Sequence, residues 1–243
     1  MKIIKLDAID STNSFLRQLS TINKVDDFTT VIAKHQTSGK GQMGAAWKVE
    51  EGKNLTTSVF KRISCLRNEE LFYVSMAVSL AVYDSLKKFL IPDLAIKWPN
   101  DILSGDKKIC GILIESVVKG RDLEAAIIGI GLNVNQTGFD NLPQASSLKA
   151  ITGIQYNVDE LLQEILVHLQ HYALFIEEKE FDVLKVKYEE KLFRKNKPST
   201  FKDKEGRLFM GFIKGVSESG KLILRLEDEV FREFDLKEVR LLY

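Results

Sequence analysis

Residues 69–90 constrain the fold of this chain more than any other stretch. From Leu71 to Tyr83 the apolar side chains run nearly all round a helical wheel instead of along one stripe. Such a helix has no face for water and must be packed deep against other structure. The neighbouring sequence supplies a sheet for it. Residues 2–6, 29–35, 54–61, 94–97, 102–103, 108–118 and 123–134 carry the β-branched, apolar or alternating patterns of strands. Ser104-Gly105-Asp106 and Lys119-Gly120-Arg121-Asp122 read as hairpin loops between them. Asp10-Ser11-Thr12-Asn13 offers N-cap side chains ahead of Phe15, Leu16 and Leu19, which share one helical face. Leu161, Leu162, Ile165, Leu166, Leu169, Tyr172 and Ile176 mark an amphipathic helix, and another is expected through 179–193.

Pro198 marks a change of style. Beyond it short β-like runs are separated by Gly206, Gly211, Gly215, Gly220 and the acidic turn Glu227-Asp228-Glu229, the pattern of a small antiparallel barrel. The expected fold is α+β. Residues 1–195 form a mixed sheet with packed helices, and residues 196–243 a separate small barrel.

Charge narrows the function. Thirty-five basic residues against 34 acidic ones leave a net charge of +1, which opposes a dedicated nucleic-acid binder. There is no run of about 18 apolar residues for a membrane span, and the N-terminus lacks the apolar core of a signal peptide. The two cysteines, Cys65 and Cys110, lie too far apart for a Cys-x-x-Cys pair. They are expected to be buried or half-buried thiols in a reducing compartment, which makes the cytoplasm the default location.

Four segments could carry chemistry. Gly39-x-Gly41-x-x-Gly44 matches a dinucleotide fingerprint in spacing only. It runs into Ala45-Ala46-Trp47-Lys48 without helical periodicity, and no acid follows about 20 residues later. What it offers is exposed N–H groups, conformational freedom and one cation, Lys40, which together suit an anion; a glycine-rich surface turn is the alternative. Lys97-Trp98-Pro99-Asn100-Asp101 is more specific. Pro99 keeps Trp98 out of the α region, and a stiff extended segment can aim Lys97, Asn100 and Asp101 as an ATP and Mg²⁺ site requires. Lys108 opens an apolar strand with Gly111 three residues on, so the lysine can reach a phosphate or carboxylate where a ligand approaches bare backbone; a solvated strand-end lysine is the alternative, and the better one for Lys108 taken alone. Gly129-Ile130-Gly131-Leu132-Asn133 leaves a second bare patch, with Asn133 free to meet a phosphate or ribose; a bulged edge strand is the alternative there. His168 and His171 share a helix face but have no third ligand nearby.

Together and in order, these segments resemble the biotin protein ligases. The resemblance rests on Asp10-Ser11-Thr12-Asn13, Gln36-Thr37-Ser38-Gly39-Lys40-Gly41-Gln42-Met43-Gly44-Ala45-Ala46-Trp47, Lys97-Trp98-Pro99-Asn100-Asp101, Lys107-Lys108-Ile109-Cys110-Gly111-Ile112-Leu113-Ile114-Glu115 and Gly129-Ile130-Gly131-Leu132-Asn133. It implies the class II synthetase-like catalytic fold with a C-terminal SH3-like barrel, and a stand-alone class I enzyme whose first catalytic strand begins at residue 2. It further implies that biotin and ATP give biotinyl-5′-AMP, and that a lysine of a biotin carboxyl carrier protein of acetyl-CoA carboxylase, or of a related carboxylase, then takes the biotin. By resemblance, Ser11, Thr12 and Gln36 bind the biotin ring. Trp47, Asn100, Asp101, Gly111 and Asn133 lie at the adenylate and metal, with Asp101 the Mg²⁺ candidate. Lys40, Lys108 and Asp101 carry the chemistry, and Asn13, Gly39, Gly41 and Gln42 complete the binding set. The resemblance brings no nucleic acid or membrane into the reaction and leaves room for a homodimer. One departure stands out: relatives commonly read Gly-Arg-Gly-Arg-x-Gly-Arg where this loop has Lys40, Gln42 and Ala45, so looser retention of the adenylate is expected. Three rivals remain: a lipoate ligase or octanoyltransferase, a non-catalytic sensor or repressor that binds biotinyl-AMP, and a dinucleotide-dependent oxidoreductase.

Overall fold

The computed structural model describes residues 2–120, 122–139 and 142–243. Seven strands form the main sheet: β1 (Ile3–Ile9), β2 (Thr30–Gln36), β3 (Leu55–Arg62), β4 (Leu94–Lys97), β5 (Asp101–Ser104), β6 (Lys107–Lys119) and β7 (Asp122–Leu132). Their order is β1-β2-β3-β7-β6-β5-β4; β1 and β2 run parallel and every other neighbour pair is antiparallel. The expected mixed sheet is therefore present, with most strand ends within a residue or two. Arg121, in the expected loop between β6 and β7, lies outside the described residues.

The helix expected over 69–90 is α2 (Leu71–Lys88), preceded by a short 3₁₀ turn at Asn68–Glu70. It buries Val74, Met76, Val78, Leu80, Val82 and Leu86, each such side chain contributing roughly 1.5–3 kcal/mol. α4 (Val158–Glu177) and α5 (Phe181–Glu190) pack beside it, and the three helices share one apolar core with the sheet. A charge at Leu80, 1 % exposed, would break this layer because nothing there could pair with it. Asn157 caps α4 by accepting from the main-chain N–H of Asp159 at 2.9 Å. A five-residue helix, α3 (Leu148–Thr152), was not anticipated from sequence.

The other face of the sheet carries α1 (Thr12–Ile22), capped by Ser11. Here Leu16, Val25, Val31, Phe60, Ala125 and Ile127 form a second core. Side chains alternate along a strand, so Ala125, Ile127, Gly129 and Gly131 follow one another on the α1 side of β7. The apolar layer thus gives way to bare backbone at the two glycines, and the site begins there.

Beyond α5, strands β8 (Pro198–Asp203), β9 (Leu208–Val216), β10 (Leu222–Leu226), β11 (Phe231–Phe234) and β12 (Val239–Leu242) form an antiparallel sheet in the order β11-β10-β9-β8-β12. The small antiparallel sheet expected after Pro198 is present. Among the described residues its edge strands β11 and β12 do not pair with each other, so what is observed is a sheet, without the closure of a barrel. It is fastened to the main body: the Trp98 indole N–H donates to the Gly220 carbonyl at 2.8 Å, and Glu189 Oε1 accepts from the Val216 N–H at 3.0 Å. Among the described residues no helix is long and apolar enough to cross a membrane.

Candidate active site

A cleft of about 410 Å³ opens on the α1 face of the sheet, between the N-terminus of α1, the loop after β2, the β4–β5 turn and β12. Its floor follows from strand register. Asp101 on β5, Gly111 on β6, Gly131 on β7 and Thr56 on β3 are successive cross-strand partners, so they lie in one row on one face. The next row holds Leu113, Gly129 and Ser58.

The glycines are empty because other groups occupy the space. A Cβ on Gly131 would sit 2.3 Å from the Trp47 ring, and one on Gly129 would sit 2.5 Å from Asn13 Oδ1. At Gly111 the Trp47 ring would be 3.1 Å away. The indole of Trp47 therefore lies directly on the Gly111–Gly131 floor. The loop that delivers it is closed on itself: the Trp47 N–H donates to the Gly39 carbonyl at 2.9 Å and the Gly41 N–H to the Ala45 carbonyl at 2.6 Å. Gln42–Gly44 makes a single 3₁₀ turn with Met43 at φ 56°. This is a folded-back loop, not the helix start that a dinucleotide fingerprint requires.

At one end of the cleft neutral polar side chains line the surface, with Lys40 and Glu115 flanking them. Thr12 donates its main-chain N–H to Gln36 Oε1 at 2.8 Å, and its hydroxyl lies 3.0 Å from the same oxygen. Ser58, fully buried, lies 2.7 Å from the Thr12 hydroxyl and 2.5 Å from Asn13 Oδ1. Asn13 Nδ2 donates to Glu115 Oε2 at 2.8 Å. Ser11 accepts weakly from the Ser14 N–H at 3.4 Å. Lys40 donates to Ser14 Oγ at 2.8 Å, which holds its exposed ammonium beside this end.

At the other end the groups are charged. The Lys108 ammonium lies 2.6 Å from Asp101 Oδ1 and 5.8 Å from the centre of a Trp47 ring. The Asp101 contact is an ion pair, yet Oδ1 is buried without an aligned hydrogen bond. Lys97 Nζ is 3.7 Å from Asp101 Oδ2 and 5.2 Å from the centre of the Tyr243 ring. Burial lowers the Lys97 pKa from its ordinary value; the nearby Lys108 and Arg240 charges push the same way, and Asp101 opposes them. Burial also raises the Tyr243 phenol to about 12. Two buried polar atoms of the cleft, Trp47 Nε1 and Thr56 Oγ1, have no partner.

The cleft is lined by Ser11, Thr12, Asn13, Gln36, Lys40, Gly41 and Gln42. Trp47, Asn100, Asp101, Lys108 and Gly111 also line it. Gly39 sits behind the loop against the Trp47 carbonyl, where a Cβ would come within 2.3 Å. Asn133 lines an adjoining cavity that shares Trp47, Asp101 and Lys108. Its Nδ2 donates to the Ser146 carbonyl at 2.9 Å, and the Asn100 Nδ2 donates to the Ile112 carbonyl at 2.6 Å. Among the described residues no three metal-type side chains cluster, so Asp101 stands as a lone carboxylate. His168 is held by Glu164 on α4, 3.0 Å from its carboxylate. The expectation for Cys65 is corrected: it is exposed, in the turn after β3 where the chain leaves the sheet, while Cys110 is buried.

Sequence reasoning missed Glu115 as the partner of Asn13. It also missed Arg240 and Tyr243, which the C-terminal sheet brings to the charged end. Glu115 closes the Lys107–Glu115 segment, but nothing in that segment points to Asn13, and no local motif marks Arg240 or Tyr243; only the fold brings them near.

Fold and site together define a cleft with a neutral polar end, a charged end and an indole seated on the glycine floor between them. The description of the biotin/lipoate A/B protein ligase family matches residues 6–133, and the chain belongs to that family. It is 32% identical over 171 residues to the bifunctional ligase/repressor BirA of Bacillus subtilis, a match covering 68% of this chain and 51% of that protein. It is 33% identical over 141 residues to the biotin–[acetyl-CoA-carboxylase] ligase of Mycobacterium tuberculosis, covering 57% of this chain and 51% of that one. The chain thus spans about half the length of these curated relatives. The solved biotin protein ligase of Aquifex aeolicus in complex with biotin and ATP superposes with a TM-score of 0.82 at 27% identity, covering 99% of this chain and 98% of that one.

Proposed function

We propose that this chain is a biotin protein ligase. It joins biotin to ATP as biotinyl-5′-AMP and passes the biotinyl group to a lysine of a biotin carboxyl carrier domain, that of acetyl-CoA carboxylase or a related carboxylase. The supporting observation is the two-ended cleft: uncharged donors and acceptors at Thr12 and Gln36, cations at Lys97 and Lys108, and the Trp47-covered glycine floor between them.

In the first step a biotin carboxylate oxygen attacks the α-phosphorus. A new O–P bond forms as the bond to the β-phosphate oxygen breaks, and pyrophosphate leaves. Two anions must approach, so the protein's task is to supply positive charge and N–H donors. Lys108 and Lys40 take that role, with Lys97 behind Lys108 adding to the field. The Asp101 carboxylate, 2.6 Å away, holds the Lys108 ammonium in place. Mg²⁺ would be held by Asp101 together with phosphate oxygens and water, and when bound it offsets the triphosphate charge. In the second step the neutral acceptor amine attacks the acyl carbon, the C–O bond to phosphate breaks, and AMP departs as the nitrogen gives up a proton to solvent. The Trp47 lid keeps water from the mixed anhydride meanwhile.

The same reading divides the chain at residue 195 into a catalytic domain and an SH3-like C-terminal module whose Arg240 and Tyr243 wall the charged end. The carrier domain is its macromolecular partner; neither nucleic acid nor membrane takes part, a homodimer is compatible with it, and it works in the cytoplasm. The test is pyrophosphate release from ATP and Mg²⁺ on adding biotin, compared with lipoate. Release with biotin alone is expected; release with lipoate alone would move the chain to the lipoate side of its family.

A further inference from the structure

The polar end of the cleft is a chain of buried hydrogen bonds whose direction is fixed at both ends. At one end the Thr12 main-chain N–H can only donate, so Gln36 must meet it with Oε1 and turn its Nε2 donors elsewhere. At the other end the Glu115 carboxylate can only accept, so Asn13 must meet it with Nδ2 and turn Oδ1 towards Ser58. Asn13 Oδ1 then takes the single Ser58 proton, being the nearer of its two acceptors at 2.5 Å against 2.7 Å for the Thr12 hydroxyl. The Thr12 proton is likewise taken inside, by Ser58 or by Gln36 Oε1. Neither hydroxyl keeps a proton for a ligand. The cleft therefore meets a ligand with lone pairs at Thr12 and N–H donors at Gln36.

We infer that Glu115 is a positioning residue that sets this polarity through Asn13, so that the pocket matches a neutral cyclic urea with N–H donors and one C=O acceptor. The inference rests on the biotin reading above and deepens it. Glu115 does not line the cleft; it sits on β6 beside Ile127, with Arg17 Nη2 3.8 Å from its second oxygen. Its influence on a ligand passes through Asn13, which is 3 % exposed and pinned over Gly129. Without the carboxylate, Asn13 is free to turn over. Ser58 would then accept from Nδ2 and give its own proton to Thr12, filling the lone pair that the ligand N–H needs.

The experiment compares wild type, Glu115→Leu, Asn13→Asp and the double variant N13D/E115Q. Kinetics are measured with biotin and with the analogue in which one urea ring N–H is replaced by oxygen. In Glu115→Leu the KM for biotin should rise about tenfold, as expected when one buried hydrogen-bonding group loses its fixed partner, while the KM for ATP does not follow. The preference for biotin over this analogue should collapse, because the Thr12 lone pair that distinguishes N–H from oxygen is then filled. Asn13→Asp sets two carboxylates against each other and should also raise the KM for biotin. The double variant keeps an acceptor towards Ser58 and a donor across to Asp, so it should recover both affinity and preference; rescue of melting temperature without rescue of preference would reduce Glu115 to a packing role and overturn the inference. So would a Glu115→Leu enzyme with unchanged biotin KM and preference. If wild type binds no biotin in calorimetry, it is the biotin reading itself that fails.

Discussion

Replacing Gly131 by alanine tests how the cleft is built. The new Cβ would lie 2.3 Å from Trp47 Cε2 and 2.6 Å from Trp47 Nε1, more than an ångström inside contact distance. β7 is a central strand with partners on both sides, so the indole must yield. A tryptophan buries about 150–250 Å². Losing roughly half of that cover at about 25 cal/mol per Å² amounts to about 2 kcal/mol, or about 30-fold in affinity for the nucleotide that needs the lid seated. The melting temperature should fall far less than for a core variant, because Met43, Gly44, Ala45 and Ala46 are exposed and the loop carries little of the core. The assay is ATP binding by calorimetry, with Trp47 fluorescence read in a Trp98→Phe background. Gly138→Ala is the control, since its Cβ meets nothing nearer than 3.9 Å. Native ATP affinity and unchanged Trp47 emission in Gly131→Ala would refute the reasoning.

Three further outcomes are expected. The Arg67 side chain and main-chain N–H hold the Glu70 carboxyl below its ordinary value of 4.5. A lowered folded pKa means stability that is present above the unfolded value and lost as pH falls through the folded one, so Glu70→Gln should cost about 1 kcal/mol, or about 2–4 °C in Tm, at pH 7. A scan at pH 3 should show a smaller difference, and an equal one at both pH values would contradict the pairing. Cys65 is exposed, whereas burial raises the Cys110 thiol well above its ordinary value; maleimide at pH 8 should label one equivalent quickly, and Cys65→Ser should abolish that phase. Finally, Lys40 is a point charge without a planar bidentate grip, so biotinyl-AMP should dissociate faster from this protein than from arginine-loop relatives in a stopped-flow chase. Equal rates would remove the role given to this loop.

Much of the fold was legible because its strongest signals are periodic. A helix apolar all round demands a sheet, and the strands around it alternate or run apolar as their burial dictates. α3 went unseen because Leu148–Thr152 is too short for a period to show. After Pro198 the turns and short strands predict antiparallel pairing, which is present; the pairing of the two edge strands is a tertiary matter that such local signals do not reach. At the site, the motifs placed Trp47, Asp101, Lys108 and the glycines near one another. They did not show that the Asn100 and Asn133 amides each donate one N–H to a main-chain carbonyl, of Ile112 and Ser146 respectively. Nor could they pair Asn13 with Glu115, 102 positions away, since only strand register brings that carboxylate beneath α1.

The central claim is that Lys108 and its neighbours activate a biotin carboxylate for transfer to a protein lysine. The most direct measurement is the intact mass of a biotin carboxyl carrier domain incubated with this protein, ATP, Mg²⁺ and biotin. The expected result is a gain of one biotinyl group on a single lysine, with no gain when Lys108→Ala replaces the wild type. An unchanged carrier mass with wild type, or full biotinylation by Lys108→Ala, would contradict it.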